Sequence, residues 1–177
     1  QMVTGESAEQ TAELAHQYSQ MAKELGATTT EIANGATEWL RQGKSVAETN
    51  QLLESSMILS KVGAIESSQA TELLTSTLNG YKKEANEAMH VVDAMAAVDL
   101  AAATSVEELA VALQSTANMA RVNGVGFEQL LGMVGAVSEA SRRSASVVGN
   151  SFKTIFSRLT NVAAGKMTDD LGEPLND

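Results

Sequence analysis

The chain has 177 residues, no cysteine, 22 acidic against 12 basic residues and a formal charge of −10. Disulfides and thiolate metal sites are excluded, and general nucleic-acid binding is disfavoured because the net field repels phosphate. Only 3% of residues are aromatic, so Ala, Leu, Val, small polar residues and eight Met must pack one sizeable domain or two small ones.

The N-terminus, QMVTGESAEQ, is polar and lacks the apolar run of a signal peptide. No stretch reaches the roughly 18–20 apolar residues of a membrane span. Because the chain starts at Gln1 without an initiator Met, it is expected to be processed or to be a fragment of something longer.

Apolar periodicity predicts helix almost throughout, so the fold class is all-α: a compact multi-helix domain of about seven or eight short helices joined by Gly/Ser/Thr-capped loops. The first helix, about 7–25, carries Glu13 and His16 and stops at Gly26. The second, about 29–42, opens on a capping box of Thr28 and Glu31, in which side chain and backbone satisfy each other's free groups. Gly43 ends it, and Ser45 with Glu48 opens the third, about 46–61, which stops at Gly63. The fourth, about 67–79, stops at Gly80.

The fifth helix, about 84–103, holds the most apolar run, AMHVVDAMAAVDLAAA, broken by Asp93 and Asp99, and also Glu87 and His90. The sixth, about 105–122, is capped by Ser105 with Glu108 or Thr104 with Glu107 and has an apolar stripe of Val106, Leu109, Ala110, Leu113 and Ala117. It stops at Gly124. The seventh, about 127–143, has the stripe Phe127, Leu130, Leu131, Val134 and Val137. Beside it lie Gly132 and Gly135, each costing roughly 1 kcal/mol in a helix interior, which close approach of another helix should offset. The eighth, about 146–164, gathers Val148, Phe152, Ile155, Phe156, Leu159 and Val162 within about 120° of arc, flanked by Lys153 and Arg158. By this reading 1–54 are N-terminal helices, 55–165 a core helical domain and 166–177 a flexible tail.

Two features invite chemistry. Glu13/His16 and Glu87/His90 are both Glu-x-x-His pairs, the ligand pattern of a carboxylate-bridged di-metal bundle. That bundle also needs a single-Glu helix ahead of the first pair, and here the first pair lies in the first helix. An exposed i, i+3 pair is the plainer account of each. No Walker loop, G-x-S-x-G elbow or dinucleotide fingerprint occurs, so the chain is not read as an enzyme and no cofactor is expected. The second feature is charge: from Arg142 to Lys166 there are five basic residues and no acidic one. Arg142, Arg143, Lys153 and Arg158, with Phe152 and Phe156, form a partner-contact surface on this reading, against the alternative of a core helix with snorkelling cations.

Residues 55–165 carry a resemblance. Leu78-Asn79-Gly80-Tyr81, Val91-Val92-Asp93, Val106-Glu107-Glu108-Leu109-Ala110, Ala112-Leu113, Gly126-Phe127, Ser141-Arg142-Arg143-Ser144 and Gly149-Asn150 before Lys153-Thr154-Ile155-Phe156-Ser157-Arg158 follow one another in the order and spacing of phage tail tape measure proteins, also called phage-related minor tail proteins. The resemblance implies a structural virion component that sets tail length during assembly and leaves the tail at infection to assist DNA delivery through the host envelope. It implies other tape measure copies, tail tube and tip proteins and tail assembly chaperones as partners, with the host membrane met on ejection and no sequence-specific nucleic-acid binding. It places the protein in the virion tail, and in the host cytoplasm during assembly. A straight helix of this length would measure about 265 Å, far short of such proteins, so a segment of a larger parent is expected. The rival readings are the di-metal protein and a generic helical adaptor domain.

Overall fold

The computed structural model describes residues 8–102 and 104–164. Among them are eight α-helices and no strand: α1 (Ala8–Glu24), α2 (Thr29–Arg41), α3 (Val46–Gly63), α4 (Ser67–Tyr81), α5 (Ala88–Ala101), α6 (Val106–Val122), α7 (Phe127–Ser141) and α8 (Ala145–Ala163). The all-α expectation holds. The helix expected from 84 begins instead as a 3₁₀ turn, Ala85–Glu87, leading into α5. Lys166 and the expected tail lie outside the described residues. No helix among the described residues is long and apolar enough to cross a membrane.

The chain divides into two compact units. The first holds α1 to α3, α4 as far as Leu78, and Lys83–Asp93; the second holds Asn79–Lys82 and the described chain from Ala94 onward. In the first, α1 and α3 pack on α2, and α3 also meets the 3₁₀ turn. Ile32 and Trp39 of α2, Leu52, Leu53 and Leu59 of α3 and Leu74 of α4 are fully buried. In the second unit, α6 packs on α7 and most extensively on α8.

Carboxylates set several helix starts. Thr28 Oγ1 accepts from the Glu31 N–H at 3.2 Å, while the Glu31 carboxylate accepts from the Thr28 N–H and hydroxyl, each at 2.7 Å. Ser45 and Glu48 repeat this at 2.7–3.3 Å. Glu87 accepts from the Glu84 N–H at 2.9 Å and from Lys83 Nζ at 2.8 Å. These bonds favour the charged form. The hydroxyl of Thr28, then its N–H, hold Glu31 below the ordinary 4.5; Ser45 does the same for Glu48, and Lys83 and then Glu84 for Glu87.

A depressed folded pKa stabilises the fold above the unfolded value and stops doing so as pH falls through the folded value. The urea midpoint is therefore expected to stay flat on acidification to about pH 5 and to drop below 4.5. Urea titrations across pH should show that drop flattened in the E31Q/E48Q/E87Q variant.

Three of the glycines read as helix stops have the left-handed backbone that role requires: Gly26, Gly43 and Gly124, with φ of 56°, 81° and 76°. Gly63 and Gly80 do not. Gly63 is the last residue of α3 and Gly80 lies inside α4; Ala64 and Lys82, at φ 51° and 55°, take the left-handed positions. Gly80 serves packing instead, since a Cβ there would lie 2.6 Å from Ala117 Cβ. Beside it, Arg121 Nε donates to the Gly80 carbonyl at 2.9 Å, and Tyr81 packs edge-on against Phe127 at 5.6 Å.

The α6 stripe is buried in full. In α7, Phe127, Leu130, Leu131 and Val134 are buried but Val137 is 42% exposed. It lies at the edge of the buried arc, about 20° outside Leu130. Gly135 does allow close approach, with Val98 Cγ1 2.7 Å from where a Cβ would stand; Gly132 faces open space, so no contact offsets its cost.

Candidate functional site

The basic segment is built on α8, and α6 fixes α8 in place. At their crossing a Cβ on Gly149 would stand 2.7 Å from Ala112 Cβ and 2.8 Å from Ala112 Cα, so only hydrogen fits there. The Thr116 hydroxyl donates to the Gly149 carbonyl at 2.8 Å. Farther along, Asn123 Nδ2 lies 3.1 Å from the Phe156 carbonyl and 2.9 Å from Thr160 Oγ1, tying the end of α6 to α8. At the other end Ser105 caps α6 by accepting from the Glu108 N–H at 3.1 Å. The Glu108 carboxylate accepts from the Thr104 hydroxyl and from the Ala145 N–H, both at 3.3 Å. It thereby supplies an anion to the first turn of α8, where the helix dipole favours one.

This anchoring turns α8 away from the orientation its apolar stripe suggests. Ala145, Val148, Gly149 and Phe156 are buried, with Phe152 half-buried. The buried arc is centred about 40° from that of the stripe, because the closest contact is made by a glycine, which carries no hydropathy signal. Ile155 and Leu159 are left 49% and 52% exposed, and Val147 44%.

Of the six predicted contact residues, Phe156 is in the core and its ring stacks on that of Phe152 at 5.8 Å. Arg142, in a left-handed conformation at φ 58°, ends α7, and Arg143 follows it; both are exposed. Lys153 and Arg158 are exposed on α8, about 140° apart around the helix. None of these four cations forms an ion pair with a described residue. The structure thus brings Arg158 onto the same face as Ile155 and Leu159 and leaves Lys153 on the far flank.

In the first unit, α2 and α4 border a groove of about 440 Å³ lined by Glu31, Glu38, Glu72, Ser68, Thr71 and Thr75 among others. Nothing in the sequence pattern announced it, because the two helices are separated by all of α3. The Glu-x-x-His pairs do not come together as ligands. Glu13 and His16 are exposed on α1, His90 is exposed on α5, and Glu87 is engaged by Lys83 and the Glu84 N–H. No cluster of three or more His, Cys, Asp or Glu able to hold a metal occurs among the described residues.

Short capped helices without a strand among the described residues, with exposed apolar side chains on α8 beside cations that pair with no described residue, define an all-α protein. The chain belongs to the family of phage-related minor tail proteins, which it matches over residues 19–174. It is 26% identical over 161 residues to the tape measure protein of Pneumococcus phage Dp-1. That alignment takes in 90% of this chain and only 14% of the relative. No solved structure matches it. Family and relative both support a structural role in a phage tail.

Proposed function

We propose that this chain is a folded helical segment of a tape measure protein. With the rest of its parent it sets tail length during assembly in the host cytoplasm. It lies in the tail against other copies and the tube and tip proteins, is handled by tail assembly chaperones, and leaves at infection to help DNA cross the host envelope. The observation that carries this reading is the alignment of 90% of the chain to a tape measure protein. The 14% share of that relative supports a segment of a longer parent.

The segment is not a stretch of continuous measuring rod. Left-handed residues at Gly26, Gly43, Ala64, Lys82, Gly124 and Arg142 turn the chain, and glycines at Gly80, Gly135 and Gly149 are spent on side-to-side packing. The test is an in-frame duplication of residues 8–164 in the parent phage, with tail length read by electron microscopy. An extended helical segment would add about 235 Å at 1.5 Å per residue, and a folded one is expected to add clearly less. Normal tails in virions whose parent protein lacks the segment would overturn the reading.

A further inference from the structure

We infer that copies of this chain associate head to tail, the exposed face of α8 on one copy seating in the α2–α4 groove of a second copy. The donor face consists of Val147, Ile155 and Leu159, all more than two-fifths exposed, with Arg158 among them and Arg143 at its N-terminal end. Exposed apolar side chains at helical spacing, backed by cations that pair with no described residue, are what a helix offers to a groove.

The receiving groove, about 440 Å³, has the complementary chemistry. Ser68, Thr71 and Thr75 are short and admit a helix closely, and Glu31, Glu38 and Glu72 supply negative charge. Charge also decides which surfaces can meet. From Arg142 to Ala164 the sequence has four cations and no acidic residue, whereas the groove is lined by three glutamates and no cation. Pairing α8 with α8, or groove with groove, sets like charges together; pairing α8 with the groove sets opposite charges together. A contact between two different surfaces of one chain continues from copy to copy unless it closes into a ring. The inference does not depend on the tape measure reading, which tail length tests separately.

Sedimentation velocity on the 177-residue chain tests it. The weight-average mass is expected to rise past that of a dimer with concentration. The association constant should fall at least about tenfold between 0.05 and 0.5 M NaCl as screening shortens the reach of the charges. R143E/R158E and E38K/E72K, chosen to leave the Glu31 cap intact and checked for helicity by circular dichroism, should each lose association on their own. Mixed in equal amounts they should regain it, since each then offers the charge the other's surface lacks. A monomer at every concentration, association that survives either reversal, or a mixture that stays monomeric would each overturn the proposal. So would a monomer that binds phosphatidylglycerol vesicles through Arg158, which would give the face to a membrane.

Discussion

Replacing Gly149 by alanine is expected to cost the second unit about 3 kcal/mol, and replacing it by leucine to unfold that unit. The alanine figure is the outcome of three effects. Removing a helix-interior glycine stabilises by about 1 kcal/mol. Against that, a methyl group 2.7 Å from Ala112 Cβ and 2.8 Å from Ala112 Cα has nowhere to go, because the obstruction is the backbone of α6 itself. Separating the helices costs about 2 kcal/mol in disturbed packing. It also breaks the 2.8 Å bond from the buried Thr116 hydroxyl to the Gly149 carbonyl, for about 2 kcal/mol more. Urea unfolding followed by circular dichroism, with hydrogen exchange of the α8 amides, measures the loss. Gly132→Ala is the control: with nothing within 4 Å of its Cβ position, it should raise stability by up to about 1 kcal/mol. An alanine at 149 that raised the midpoint would mean that α6 and α8 do not cross this closely.

The contrast between these two glycines marks where sequence reading stops. Features that close within one turn are legible: Thr28 with Glu31, Ser45 with Glu48 and the Ser105 cap all appear in the structure where the residue types put them. So do the buried stripe of α6 and most of that of α7, because hydropathy at helical spacing reports the face that must leave water. What escapes is whatever depends on a partner far along the chain. Gly80 resembles a stop and is a contact for Ala117. Glu108 resembles an α6 cap and its carboxylate serves α8, 37 residues on. The α8 stripe predicts a face that Gly149 then overrides, leaving Ile155 outside, while Leu159, in line with buried Val148, lies where α6 comes to its end at Asn123. The candidate site follows the same rule. Its cations were visible as an acid-free run, whereas the acidic groove needs α2 and α4 brought side by side, which no local pattern encodes.

In the first unit the largest single loss should come from Trp39→Ala, about 3–5 kcal/mol in urea unfolding followed by circular dichroism. Trp39 is 1% exposed on α2, the helix on which both α1 and α3 pack, so its removal leaves a void that no neighbouring solvent-facing chain can fill. The apolar body of the side chain is what matters, because its Nε1 is buried without a hydrogen-bond partner among the described residues. Trp39→Phe should therefore cost far less than alanine, since it keeps much of the ring area and deletes an unpaired donor. A second change, nearby in sequence, should have the opposite sign. Thr49 on α3 is fully buried and its hydroxyl also lacks a partner among the described residues, so Thr49→Val, equal in shape and without the hydroxyl, should stabilise by about 1 kcal/mol. A loss on Thr49→Val would show that the hydroxyl is satisfied in solution and that the unit relies on a polar contact at this position. A gain would show that the first unit is held by apolar burial, with these polar atoms enclosed at a cost that its buried leucines offset.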